Sequence, residues 1–97
     1  MYTSQEYIQI INANMPRIQD EFGVRGMSIF GSVARGDNGA KSDVDILVDM
    51  PPKIFLMNAL KEYLEQILHT SVDLVRRHSH LSSKFLAQIH KDAITIL

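Results

Sequence analysis

Apolar residues recur at Ile8, Ile11, Met15, Ile18 and Phe22, alternately three and four positions apart, which is the spacing of one helical face. Ahead of that stripe, Thr3-Ser4-Gln5-Glu6 predicts a capping box with Thr3 as N-cap and Glu6 three residues on. Pro16 falls inside the stripe. It removes a backbone donor and crowds the preceding turn, so a kink or two abutting helices is expected, with Gly23 as the terminal cap. The period then shortens. Met27-Ser28-Ile29-Phe30 predicts a short strand ending at Gly31, Val44 to Asp49 a second strand stopped by Pro51-Pro52, and Val72-Asp73-Leu74-Val75 a third. Between the first two, Ser32 to Gly36 has room for about one helical turn, with Ser32 as N-cap and Gly36 as terminator, followed by turn residues Asp37-Asn38-Gly39. Phe55 to His69 predicts the clearest helix, with Leu56, Leu60, Tyr63, Leu64 and Ile67 along one side. Ser82 or Ser83 caps a last helix carrying Phe85, Leu86 and Ile89. The apolar tail from Ala93 to Leu97 is expected to pack down as a short strand. Helices alternating with strands predict the α/β (α+β) class, with helices around a small sheet.

Composition narrows this picture. The 97 residues, free of repeats, low-complexity tracts or linker-like stretches, predict one domain spanning 1–97. Apolar content of 45% beside 22% charged residues argues against disorder. Without cysteine there are neither disulfides nor thiolate metal sites, which is compatible with a cytoplasmic protein. The N-terminus lacks a basic segment followed by an apolar core, and no apolar stretch approaches membrane-spanning length. A formal net charge of -1 excludes a domain that grips nucleic acid mainly through its phosphates. An anionic ligand must be held locally, by a few donors or through bound cations.

Asp43 and Asp45 supply the first candidate chemistry. Two apart on a strand, they share one face, roughly 6.5 Å apart along the chain, while Val44, Ile46 and Val48 supply the opposite, apolar face. Packing gives no reason for two carboxylates there, and like charges on one face repel unless a cation or donor lies between them. Mg²⁺ is the simplest cation for an all-carboxylate site, since it prefers hard oxygens and leaves positions open to water and phosphate. Gly31, at a strand end, allows the backbone to approach a ligand, and a turn starting at Ser32 presents free N–H groups to an anion. Asp73 is a third carboxylate inside an otherwise apolar strand. If that strand neighbours Val44 to Asp49, Asp73 reaches the same metals and can activate an incoming hydroxyl.

Gly31-Ser32, ten intervening residues and Asp43-Val44-Asp45 reproduce the GS-x10-DxD motif, and the chain resembles the DNA polymerase β nucleotidyltransferase superfamily. The fuller runs Phe30 to Gly36 and Ser42 to Val48, with Val72 to Val75, are similar to its minimal nucleotidyltransferase (MNT) branch. That resemblance implies a polymerase β-like fold with a small mixed sheet flanked by helices. It further implies two Mg²⁺ ions bound by Asp43 and Asp45, with Asp73 binding one and assisting the nucleophile. Gly31 and Ser32 would hold the triphosphate of ATP. Members of this branch are commonly antitoxins paired with a HEPN-domain toxin, and some transfer AMP from ATP to a tyrosine of that toxin. A HEPN partner is therefore expected, in a hetero-oligomer. The competing readings are an antitoxin acting by occlusion alone and a small-molecule nucleotidyltransferase. Lack of a second domain argues against template reading and tRNA tailing.

Blander roles stand beside these. Arg35 either helps neutralise phosphate or is a solvated arginine. Ser42 either contacts ligand or orients the loop by bonding backbone, the structural role being the expected one. Asp73 alone could pair with Arg76 or Arg77. His78 and His80 lack further nitrogen or sulfur ligands for zinc, so a polar loop is expected. Tyr2, Tyr7 and Tyr63 read as packing or surface residues.

Overall fold

The computed structural model describes residues 2–37, 39 and 43–97. Helix α1 (Ser4–Ala13) starts at the expected capping box. The Glu6 N–H donates to Thr3 Oγ1 at 3.2 Å, and the Thr3 N–H donates to Glu6 Oε1 at 2.9 Å. Pro16 splits the stripe into two abutting helices. It falls in the first turn of α2 (Met15–Phe22), where no intrahelical donor is needed. Asn14 forms the joint: its amide donates to the Ile10 carbonyl at 2.8 Å, and its Oδ1 accepts from the Tyr63 hydroxyl at 2.9 Å. The buried stripe departs from expectation at its start, because Tyr7 rather than Ile8 lies fully inside with Ile11. Tyr7 packs edge-on against Tyr2, which supplies the contact that periodicity alone could not reveal. Gly23 closes α2 in the left-handed region, at φ 65°.

The chain continues as β1 (Gly26–Phe30), α3 (Gly31–Arg35), β2 (Val44–Asp49), α4 (Ile54–Leu68), β3 (Val72–Arg76), α5 (Ser83–Asp92) and β4 (Ile94–Thr95). The four strands form one mixed sheet in the order β3-β2-β1-β4. β2 and β4 run antiparallel to β1, while β3 runs parallel to β2 because α4 carries the chain back between them. The tail therefore does pack down as a short strand, on the β1 edge.

Val44, Ile46 and Val48 are fully buried, as their alternation predicts. Against them lie Leu60, Leu64 and Leu68, four apart on α4, with Ile11 and Ile18 from the first two helices. Each such side chain contributes about 1.5–3 kcal/mol by leaving water. That core fixes the strand register, and a slip of one residue would exchange the two faces of the sheet. No polar or charged residue is buried among the described residues.

The register sets the opposite face in rows. Phe30, Asp45 and Asp73 form one row, and Ser28, Leu47 and Val75 the next. Helix α5 flanks this face, capped by Ser82, whose Oγ accepts from the Phe85 N–H at 3.1 Å. Among the described residues no helix is long and apolar enough to cross a membrane. Asn38 of the expected turn, and Ser42, lie outside the described residues.

Candidate functional site

Asp45 stands at the centre of the charged row. Its Cα is paired with Phe30 on one side and with Asp73 on the other, the neighbouring strands lying about 4.8 Å away. Parallel pairing of β2 with β3 thus brings Asp73 beside Asp45, which meets the condition that the sequence reading left open. Asp43 lies just ahead of β2 and is exposed, as is Asp73, whereas Asp45 is half-buried. Burial, followed by the negative charges of Asp73 and Asp43, holds the Asp45 carboxyl above its ordinary value; Arg35 acts weakly in the opposite direction. This is the electrostatic signature of a face that resists its own negative charge and would be relieved by a cation.

Gly31 is fitted to that carboxylate. It turns the chain from strand to helix at φ 76°, a region that favours glycine. A Cβ on Gly31 would collide with an Asp45 carboxylate oxygen, and it would stand 3.1 Å from Asp45 Cγ. The side chain missing at Gly31 thus makes room first for Asp45 itself, a tighter demand than the ligand approach inferred from the motif. One expectation is corrected here. Ser32 is not the N-cap of α3, since Phe30 holds that position and Gly31 is already the first helical residue. Strand β1 runs into the helix with no intervening loop, so the cap falls on the last strand residue. Ser32 sits half-buried in the first turn, where backbone N–H groups have no acceptor within their own helix. Gly36 ends α3 at φ 81°, as expected.

Arg35 is engaged in ion pairs, to Asp37 Oδ2 and to Asp92 Oδ2, both at 3.1 Å. Asp92, the last residue of α5, was invisible in the sequence as a partner, being 57 positions away with no local signature. The cleft this pair spans, lined by Phe30, Phe85 and Gln88 among others, was equally unforeseen.

His78 and His80 do form a polar turn: the His80 N–H donates to His78 Nδ1 at 3.1 Å. Tyr7 and Tyr63 are packing residues, Tyr63 lying 5.6 Å from the Phe22 ring with Arg17 over its face. Among the described residues, no three acidic or histidine side chains converge closely enough to hold a metal ion by themselves. Mg²⁺ is usually bound by one or two carboxylates, its remaining positions going to water and substrate phosphate. The adjacent Asp45 and Asp73, with Asp43 at the edge, offer that kind of hard-oxygen donor set.

Fold and site together define a class: a small mixed-sheet domain in which a glycine turn closes against strand-borne carboxylates. Residues 13–97 match the family described as "Polymerase beta, Nucleotidyltransferase". Protein adenylyltransferase MntA of Thermococcus cleftensis (strain DSM 27260 / KACC 17922 / CL1) is 42% identical over 81 residues, which are 81% of this chain and 82% of that protein. A solved protein proposed to be a minimal nucleotidyltransferase superposes with a TM-score of 0.69 at 28% identity, over 90% of this chain and 93% of that one. At 21% identity and a TM-score of 0.58, the fold is shared with a chain from the complex of tri-AMPylated Shewanella oneidensis HEPN toxin with MNT antitoxin. That match covers 96% of this chain and 67% of the other. The chain belongs to the polymerase β nucleotidyltransferase family, and its activity class is nucleotidyl transfer.

Proposed function

We propose that this protein is a Mg²⁺-dependent adenylyltransferase that moves AMP from ATP to a hydroxyl, that of a tyrosine, on a HEPN-domain toxin, and so acts as its antitoxin in the cytoplasm. The observation that carries the reading is the seating of Asp45 between Gly31 and Asp73, a carboxylate pair set directly against a glycine turn. The adenylyltransferase name of the Thermococcus relative and the AMPylated toxin in the Shewanella complex support the choice of group and acceptor.

In this reading Asp43, Asp45 and Asp73 hold two Mg²⁺ ions, which when bound would neutralise charge on the attacking and leaving oxygens. Backbone donors at Gly31 and Ser32 hold the β- and γ-phosphates and orient them. Asp73 accepts the proton of the acceptor hydroxyl. A bond forms between that oxygen and the α-phosphorus, while the bond from the α-phosphorus to the bridging oxygen breaks and pyrophosphate leaves. Asp45 lies between the two partners, and its position sets the geometry of the displacement. Arg35 supplies positive charge beyond the turn.

The test is to incubate the chain with ATP, Mg²⁺ and the HEPN protein encoded beside it, then record intact masses. Adenylyl additions to the partner that vanish with Asp43→Asn or Asp45→Asn are expected. Neutralisation that persists in both variants, with no added mass, would mean occlusion and would overturn the enzymatic reading.

A further inference from the structure

Past Gly31, on the side of Asp45 away from Asp73, helices α3 and α5 part to leave an open cleft of about 170 Å³. Phe30, Phe85 and Ile89 form its apolar walls, with Arg35, Gln88 and Asp92 around them. We propose that this cleft takes the base of the donor nucleotide, Phe85 and Phe30 giving the stacking surface and Gln88 selecting among bases. The inference rests on the nucleotidyl-transfer reading above.

Position is the first argument. Asp73, Asp45 and Gly31 lie in order across the sheet, on β3, on β2 and at the end of β1. An acceptor activated at Asp73 approaches from one side, so the leaving pyrophosphate lies on the other, at the Gly31 turn. The cleft borders Gly31 itself, within reach of a nucleotide whose phosphates lie on that turn.

Surface chemistry is the second. Phe85 is 36% exposed in the first turn of α5, a helix whose one fully buried residue is Ile89. Its ring stands at the cleft rather than in the core. An aromatic face accepts any base by stacking, because every base has a π-face. The Arg35–Asp92 pair, at 3.1 Å, bridges α3 and α5 across this opening. Gln88 carries both a donor and an acceptor on one amide, which complements the N6 and N7 edge of adenine and not the two acceptors guanine presents there. A larger cavity of about 220 Å³ further along the sheet, lined by Ser28, Leu47, Asp49, Arg77, His90 and Thr95 among others, does not border the Gly31 turn.

Calorimetric titration of the full chain in Mg²⁺ tests the assignment with three probes: the imido analogues of ATP and GTP, and inorganic tripolyphosphate. The wild-type chain is expected to bind the ATP analogue about tenfold or more tightly than tripolyphosphate. Phe85→Ala should weaken both analogues by about tenfold while leaving tripolyphosphate unchanged. Phe85→Leu, which keeps the bulk and loses the π-face, should do the same in a smaller degree. Gln88→Ala should narrow the preference for the adenine over the guanine analogue. Analogues that bind no tighter than tripolyphosphate, or Phe85 variants that leave both analogues unchanged, overturn the assignment and leave the phosphate site standing. A wild-type chain that binds none of the three overturns the underlying transferase reading as well.

Discussion

Substituting alanine at two glycines of the same short helix separates backbone strain from site geometry. Gly31 and Gly36 hold nearly equal left-handed angles, φ 76° and 81°. Alanine at either position incurs the same conformational cost, about 1–2 kcal/mol. For a domain of this size that lowers the melting temperature by about 4–8 °C per kcal/mol. Their surroundings differ completely. A Cβ on Gly36 meets nothing within 4 Å, whereas on Gly31 it runs into the Asp45 carboxylate, 3.1 Å from Cγ and closer still to one oxygen. Asp45 must rotate away, and a misplacement of about 1 Å at reacting groups costs about a hundredfold in rate. Gly36→Ala should therefore lower the melting temperature by about 4–16 °C and keep its transfer rate. Gly31→Ala should lose more stability and about a hundredfold or more in rate. Thermal melts and initial rates of adenylyl transfer give both quantities. Combining Gly31→Ala with Asp45→Ala removes the colliding carboxylate, so the excess destabilisation should disappear in that double variant. Equal melting temperatures and equal rates for the two single variants would refute the close-contact argument.

Other expectations follow from the same charges. The Asp45 carboxyl is raised above its ordinary 3.8 by burial and by its acidic neighbours. Ionised Asp45 therefore costs stability at pH values above its folded pKa, and the cost fades as pH falls through that value toward 3.8. Asp45→Asn should then unfold at higher denaturant than wild type at neutral pH without metal, the gap closing in acid; a constant gap would contradict this origin. Mg²⁺ with ATP should raise the wild-type melting temperature, by about 2.7 kcal/mol of stabilisation at a hundredfold excess over Kd, and should not do so in Asp45→Asn. An equal rise in that variant would place the ligand elsewhere. The Arg35–Asp92 pair is solvent-exposed, so a double-mutant cycle through Arg35→Ala and Asp92→Ala should give a coupling of about 1 kcal/mol or less by denaturation. A coupling several times larger would show that the pair anchors α5.

Local chemistry made much of this molecule legible. Thr3 with Glu6, Gly23 and Gly36 each marked a helix end, and the apolar alternation in Val44 to Val48 marked which face of β2 is buried. That Asp73 could join Asp45 was legible only on the condition that β3 lies beside β2, and the parallel pairing of the two strands meets it. What the chain concealed is long-range. Nothing near Arg35 announces Asp92, and nothing near Phe85 announces Phe30, because each meeting depends on how α5 settles against α3. The cap of α3 was misplaced because no loop separates β1 from the helix, so Phe30 takes the cap and Ser32 falls two positions inside. At Gly31 the motif pointed to close approach of a ligand, and the nearest demand on its missing side chain is instead Asp45.

A crystal of the chain with Mn²⁺ and the imido analogue of ATP tests the central claim most directly, since manganese can be located by its anomalous signal. Metal is expected between the Asp45 carboxylate and the phosphates, with Asp43 and Asp73 alongside and the triphosphate on the Gly31-Ser32 turn. Nucleotide bound away from Gly31, or metal that bypasses Asp45, would contradict it.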